Sequence, residues 1–350
     1  MKILVTGGCG YIGSHTIVDL LLKGYEVVSL DNFSRGKRYV PERIKQITGK
    51  DFINEEVELC DEAATRAIFI KHSGIDGIID FAAYKMVGES VANPLLYYRN
   101  NLVSLINLLQ CVQEFQIANF LFSSSSSAYG NVEKLPVQED TPVTKQESPY
   151  GRTKFFGEHI IADAVNASPF NALILRYFNP AGSHESALLG EPFDEKPMNL
   201  VPAITRTAIG FQKKFIVHGI DYPTRDGSCI RDYIHVMDVA EAHTQALQYL
   251  MLKKNISPEP EIINLGTGNG VSVLEMITAF EQATGEKLNY HVGPRRTGDA
   301  IAVYSENTKA ENLLHWKPRR SLEEMMKSAW EWEKELLKSS KTEMGTAEQA

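Results

Sequence analysis

Lys2-Ile3-Leu4-Val5-Thr6-Gly7-Gly8-Cys9-Gly10-Tyr11-Ile12-Gly13 opens the chain. Residues 2–5 form a β-like apolar run, residues 12–23 carry helical periodicity, and residues 26–30 return to strand before the acidic Asp31. The glycines between strand and helix read as G-x-G-x-x-G from Gly8 or as G-x-x-G-x-x-G from Gly7. Either spacing turns the backbone tightly and brings helix N-terminal N–H groups against a pyrophosphate. Gly7, Gly10, Tyr11, Ile12 and Gly13 are therefore candidate dinucleotide contacts. Asp31 lies eighteen residues beyond Gly13, where a carboxylate accepts from the adenosine ribose hydroxyls and repels a 2′-phosphate. This favours NAD over NADP, although Arg35, Lys37 and Arg38 stand near enough to soften the preference.

Working outward, β-like runs at 75–81, 119–122 and 172–177 alternate with helical stretches near 63–71, 97–115 and 154–165. That alternation predicts an α/β fold built on a Rossmann-type doubly wound parallel sheet, with ligands beyond the carboxyl ends of the strands. From Asn179 the alternation gives way to turn chemistry, in Asn179-Pro180-Ala181-Gly182, the loop through Pro192 and Pro197, and 221–227. We read these as a smaller mixed α/β substrate-binding lobe. A helix at 236–252 and a strand at 261–265 are expected to return to the first lobe. The division is then 1–178 with 235–265 for the dinucleotide and 179–234 with 266–339 for the substrate. The polar segment 340–350 is expected to be disordered.

Ser148-Pro149-Tyr150-Gly151-Arg152-Thr153-Lys154 reads as the start of a helix, with Ser148 as N-cap and Pro149 at the first position. Tyr150 and Lys154 then share a face one turn apart. A phenol has a reference pKa of about 10, so service as a base near pH 7 requires roughly 4 kcal/mol in favour of the phenolate. A fixed cation supplies part of that. The run Ser123-Ser124-Ser125-Ser126-Ser127 follows a buried-looking strand and offers a hydroxyl for a substrate oxygen beside the phenol. Ser124, Ser125 and Ser126 all stand as candidates for it.

A net charge of −8 gives no reason to expect nucleic acid as a partner. The N-terminus is neither a signal-peptide core nor a membrane span. Cys9, Cys60, Cys111 and Cys229 lie far apart, which points away from disulfides and zinc and toward a reducing cytoplasm. The nine histidines show no ligand-like pairing, and no metal is expected.

Several motifs together carry a resemblance: Thr6-Gly7-Gly8, Asp31-Asn32, Val87-Gly88-Glu89-Ser90, Ser148 to Lys154, Leu175-Arg176-Tyr177-Phe178-Asn179-Pro180, Arg231-Asp232-Tyr233-Ile234-His235-Val236, and Pro294-Arg295-Arg296 with Gly298-Asp299. Over nearly the whole chain except the tail, the sequence resembles the UDP-galactose 4-epimerases of the extended short-chain dehydrogenase/reductase superfamily. The resemblance implies that Tyr150 is the base for the sugar 4-hydroxyl, that Lys154 holds the nicotinamide ribose and depresses the phenol pKa, and that Ser125 bonds the same sugar oxygen. It implies further NAD contacts at Asn32, Glu58, Phe81, Ala82, Lys85, Asn100 and Tyr177. Contacts to the UDP-sugar are implied at Asn179, Asn199, Leu200, His218, Arg231, Arg296, Asp299 and Val303.

The implied reaction is transient hydride transfer from sugar C4 to tightly held NAD, return to the other face of a 4-keto sugar, and no external redox partner. A homodimer is also implied. Glu58, Met198 and His218 depart from the family's usual Asp, Asn and aromatic residue. Val303 stands where a Tyr often restricts the pocket to glucose, so it is expected to leave room for a 2-N-acetyl group, with Tyr304 next door. Two other functions compete. A nucleotide-sugar 4,6-dehydratase needs an acidic pair beside the serine, and this chain has serine and alanine there. A non-catalytic NAD-sensing protein has no need of Tyr150 and Lys154.

Overall fold

A computed structural model describes residues 1–143, 145–192, 199–253, 257–296 and 299–347. Pro197, Met198, Gly298 and 348–350 lie outside these residues. In chain order the strands are β1 (Lys2–Thr6), β2 (Glu26–Asp31), β3 (Ile53–Glu56), β4 (Gly77–Asp80), β5 (Asn119–Ser125), β6 (Asn171–Tyr177), β7 (Asn179–Ala181), β8 (Phe215–His218), β9 (Ile230–Arg231), β10 (Tyr233–His235), β11 (Glu261–Leu265), β12 (Val271–Ser272), β13 (Tyr290–Gly293) and β14 (Ala302–Val303). The helices are α1 (Tyr11–Leu22), α2 (Val40–Thr48), α3 (Glu62–Lys71), α4 (Val87–Ala92), α5 (Pro94–Tyr98), α6 (Ser104–Glu114), α7 (Pro149–Ala167), α8 (Leu200–Ala208), α9 (Val236–Leu252), α10 (Val273–Thr284), α11 (Thr308–Leu314) and α12 (Leu322–Ala347).

Seven parallel strands form the central sheet in the order β11-β6-β5-β4-β1-β2-β3. The chain therefore reverses direction across the sheet between β1 and β4, and that switch point opens a crevice at their carboxyl ends. The strands are nearly continuous apolar runs because both faces are covered. Ile3 and Val5 join one core with Val239, Ala242 and Leu250 of α9, while Leu4 joins another with Phe69, Leu108 and Ile161 of α3, α6 and α7. The period of two sends alternate side chains to opposite layers, and each such burial stabilises the fold by about 1.5–3 kcal/mol. A third core, with Ile204, Phe280, Met326 and Trp330 of α8, α10 and α12, underlies the shorter sheets of the second half.

The expected return of α9 and β11 to the first sheet is found, β11 pairing with β6. Four details differ from the sequence reading. β5 continues through Ser125, because its ladder with β6 runs to Ser125 opposite Tyr177 and buries the first three serines. The helix expected over 97–115 is interrupted by a π-turn at Arg99–Val103. β3 and α2 were missed: β3 is the polar edge strand Ile53-Asn54-Glu55-Glu56, and α2 buries only Val40 and Ile44. Finally, α12 continues to Ala347 where disorder was expected from Ser340. A polar composition argues against burial, but a helix already nucleated by a packed segment gains a backbone hydrogen bond with each added residue.

Candidate active site

The glycine loop is shaped by close approach. Gly7 has φ +62°, and a Cβ there would meet Ala82 backbone at 3.1 Å. A Cβ on Gly13 would lie 2.3 Å from the Gly7 carbonyl oxygen. The Gly10 amide donates to Gly7 O at 3.0 Å, and α1 starts at Tyr11 with no side-chain cap and no acidic residue in its first turn. An uncapped, glycine-lined helix N-terminus presents N–H groups and the positive end of the helix dipole, which fits a pyrophosphate. Tyr11 is buried, its hydroxyl donating to Gly182 O at 2.5 Å, so its side chain ties this loop to the second half of the chain.

At the end of β2, Asp31 accepts from Cys9 N at 2.9 Å and Phe33 N at 2.8 Å. Burial raises its pKa while these two amides pull it down. Asn32 Nδ2 donates to Glu58 at 2.7 Å, so these two candidates form one polar edge. Two of the three basic residues that follow are paired with other carboxylates. Arg35 is bidentate to Glu89 and Arg38 is bidentate to Glu56. Both guanidinium groups thus face carboxylates other than Asp31.

Tyr150 and Lys154 lie in the first turns of α7, capped by Ser148 Oγ accepting from Gly151 N at 3.1 Å. Both are buried. Lys154 Nζ donates to the Ser123 carbonyl at 2.7 Å and sits 4.7 Å from the centre of the Phe122 ring. Its pKa is lowered to about 8 by burial, against the pull of Asp80 and Glu158. Lys154 is expected to depress the phenol pKa, but the net direction in this fold is upward. Burial raises the Tyr150 pKa, and the nearby Ser125 hydroxyl, itself bonded to Ser127 at 3.2 Å, pulls it down. The desolvation of a phenolate outweighs a cation that is turned to a backbone carbonyl.

The alternation of β5 separates the serines. Ser124 Oγ donates to Glu158 at 2.5 Å, and Glu158 is also held by Arg176 at 3.0 and 2.5 Å. On the opposite face, Ser123 Oγ donates to the Tyr177 hydroxyl at 3.2 Å, while Ser125 stands beside Tyr150. Ser124 is thus engaged in an ion pair behind the sheet, and Ser126 belongs to the 3-10 turn that follows. Phe81 packs on His243 at 4.6 Å, and the Phe81 and Ala82 amides both donate to Thr6 Oγ1 at 3.1 Å.

Asn100 lies on the π-turn and bonds Asn101 at 3.0 Å. Asn101 was not anticipated, yet it clamps the site: it bonds both backbone groups of Tyr84 and donates to Thr153 Oγ1, which donates to Tyr150 O. A π-turn is invisible to helical periodicity, so the sequence carried no signal for it.

Candidates from the second half converge less completely. Arg231 and Arg296 both reach Asp299, at 3.6 and 3.0 Å, and Asn179 Nδ2 donates to Asp232 O at 3.0 Å. His218 Nδ1 lies 3.3 Å from Pro294 O. Leu200 begins α8 and packs on the third core. Val303 pairs in register with Arg231 and packs on the cluster of Tyr129, Val137 and Phe178. Tyr304 turns the other way, toward Gly270, which settles which of the two neighbours faces that cluster. Asn199 is the N-cap of α8 but does not cap it; its amide donates to Glu191 at 2.7 Å. The same Glu191 oxygen receives Lys85 Nζ at 3.1 Å, so an unforeseen carboxylate joins a cofactor candidate to a substrate candidate. Glu191 sits in an irregular loop, where no pattern marks it.

The family profile described as GDP-mannose 4,6 dehydratase matches residues 4–329. UDP-glucose 4-epimerase of Erwinia amylovora is 44% identical over 334 residues, 95% of this chain and 98% of that protein. The crystal structure of UDP-glucose-4-epimerase from Stenotrophomonas maltophila with bound NAD and formylated UDP-arabinopyranose superposes with a TM-score of 0.93 at 41% identity, covering 97% of this chain and 99% of that one. The UDP-glucose 4-epimerase from Bifidobacterium longum in complex with NAD+ and UDP gives 0.90 at 42%, covering 96% and 98%. The profile's name points to the dehydratase fold, whereas these near full-length relatives are epimerases, and the chain belongs to the UDP-glucose 4-epimerases of the extended short-chain dehydrogenase/reductase superfamily.

Proposed function

We propose that this chain interconverts UDP-galactose and UDP-glucose at sugar C4, and that Tyr150 is the group that moves the proton. The observation that carries this reading is the placement of the Tyr150 phenol beside Ser125 at the carboxyl end of β5. The glycine cradle lies at the end of β1, across β4 from β5, and Asp299 gathers Arg231 and Arg296 in the second half. Gly7, Gly10, Tyr11, Ile12 and Gly13 would hold the NAD pyrophosphate, with Asp31, Asn32 and Glu58 toward the adenosine. Phe81, Ala82, Lys85, Asn100, Lys154 and Tyr177 would line the nicotinamide end. When bound, NAD supplies an acceptor for the C4 hydride and a donor for its return.

Tyr150 takes the 4-hydroxyl proton as C4 is oxidised and gives it back on reduction, so one phenol serves as base and then acid. Ser125 favours the phenolate and orients the same oxygen. Asn179, Asn199, Leu200, His218, Arg231, Arg296 and Asp299 would hold the UDP. Forked arginine donors suit a diphosphate, and firm nucleotide contacts leave the sugar free to turn. On this reading residues 1–178 with 235–265 bind NAD and 179–234 with 266–339 bind the UDP-sugar. The modest volume of Val303 supports acceptance of N-acetylated UDP-sugars as well.

The reading extends to a homodimer. Leu95, Leu96, Val103, Ile106 and Phe156 are exposed on α5, the π-turn, α6 and α7, an apolar face that a second copy would cover. Four free cysteines support a cytoplasmic setting. Among the described residues no helix is long and apolar enough to cross a membrane. The test is incubation of the purified protein with UDP-galactose, without added reductant, followed by product identification. UDP-glucose is expected; a 4-keto-6-deoxy product would point to dehydration, and bound NAD with no turnover on any UDP-sugar would point to a binding protein.

A further inference from the structure

We infer that Asp80 is a positioning residue for this reaction: a buried carboxylate at the end of β4 that supplies the counter-charge for the Lys154 ammonium at the end of β5. The inference rests on the reading that Lys154 serves the reacting phenol. Asp80 closes the strand Gly77-Ile78-Ile79-Asp80 at the switch point of the sheet and is in register with Phe122 of β5. Lys154 Nζ lies against that Phe122 ring and bonds the carbonyl of the next residue, Ser123. Thr6 Oγ1 donates to Asp80 Oδ1 at 2.5 Å while accepting from the Phe81 and Ala82 amides, so the carboxylate is fixed where it stands.

The charges that act on Lys154 are Asp80 from β4 and Glu158 from its own helix. Tyr177 of β6 faces Tyr150 and Asp80, and His243 of α9 lies across Ser123. Glu158 is already held by Arg176 and Ser124. The cation that acts on Asp80 is Lys154. A buried carboxylate and a buried ammonium are each costly alone and tolerable together. Asp80 therefore offsets the burial that pulls the Lys154 pKa down to about 8. Removing the carboxylate charge lets that pKa fall further.

The test is Asp80→Asn, which retains the shape and an acceptor for Thr6. Its alkaline loss of kcat is expected to move to lower pH by about one unit or more. A second readout is independent of turnover. Native Lys154 releases its proton from about pH 8, whereas the unfolded side chain holds it to its ordinary value of 10.5, so this residue makes stability rise with pH across that window. In Asp80→Asn the rise should begin at lower pH in thermal melts. The substitution changes only the Asp80 carboxyl, so the difference between variant and wild type in that window reports what the carboxyl does to Lys154. Melts with the same pH dependence as wild type would overturn the inference. Shifted melts without epimerase activity in the wild type would instead preserve the pairing and overturn the functional reading. If Asp80→Asn does not fold, Lys154→Met gives the reciprocal measurement. Asp80 should then hold its proton to higher pH, extending upward the range over which stability falls as pH rises. An unextended range would overturn the inference.

Discussion

Lys154 directs its ammonium at the carbonyl of Ser123, 2.7 Å away, so α7, which carries Tyr150, is pinned to β5, which carries Ser125. The residue four positions from Tyr150 thus acts first as an anchor. What modulates the phenol directly is Ser125.

Tyr150→Phe removes only the hydroxyl. Turnover of UDP-galactose is expected to fall by about 10²–10⁴, the usual worth of a general acid-base group, while NAD and UDP still bind. Steady-state kinetics with calorimetric binding of UDP checks both halves, and near-wild-type turnover would remove Tyr150 from the role given to it.

Ser125→Ala removes the hydroxyl that pulls the Tyr150 pKa down against burial. A base works when deprotonated, so kcat rises with pH through its pKa. Without Ser125 that rise must come at higher pH, and kcat at pH 7 should drop by about tenfold or more. An unshifted profile would show that the hydroxyl does not tune the phenol.

Glu191→Gln keeps the side-chain shape but loses the charge that meets Lys85. Lys85 is half exposed, so the pair contributes little stability and Tm should not move. The Michaelis constant for the UDP-sugar should instead rise several-fold with kcat less affected, because Asn199 and Lys85 lose their shared orienter. A changed Tm with unchanged kinetics would make Glu191 a purely structural residue.

Val303→Tyr adds an aromatic ring where Val303 packs near Tyr129 and Phe178. Turnover of UDP-N-acetylglucosamine is expected to fall much more than turnover of UDP-glucose. Equal losses on both sugars would mean that this position does not gate the 2-substituent.

Leu95→Arg places a charge in the exposed apolar face of α5, where Leu95 is 79% exposed. A monomer is expected by light scattering where the parent chain is a dimer, with the fold retained because Leu95 contributes little to the monomer's core. A parent chain that is monomeric at micromolar concentration would refute the proposed dimer.

The sequence by itself determined the doubly wound sheet and the placement of Tyr150 and Lys154 on one helix face. The strand, glycine loop and helix of the first 23 residues are local, set by periodicity two, a tight turn and periodicity 3.6. The Ser148 cap and Pro149 equally fix where α7 begins, and hence that Tyr150 and Lys154 share a face. Tertiary structure alone decided the rest. Ser125 and not Ser124 reaches the phenol because pairing with β6 carries β5 through the serine run and sends alternate hydroxyls to opposite faces. The phenol pKa goes up because burial depends on what the rest of the chain stacks above α7. Asp80, Asn101 and Glu191 reach partners far along the chain, Thr6, Thr153 and Lys85, across a strand switch, a π-turn and an irregular loop. Such long-range pairings are formed by packing, and a local reading of residue types does not contain them.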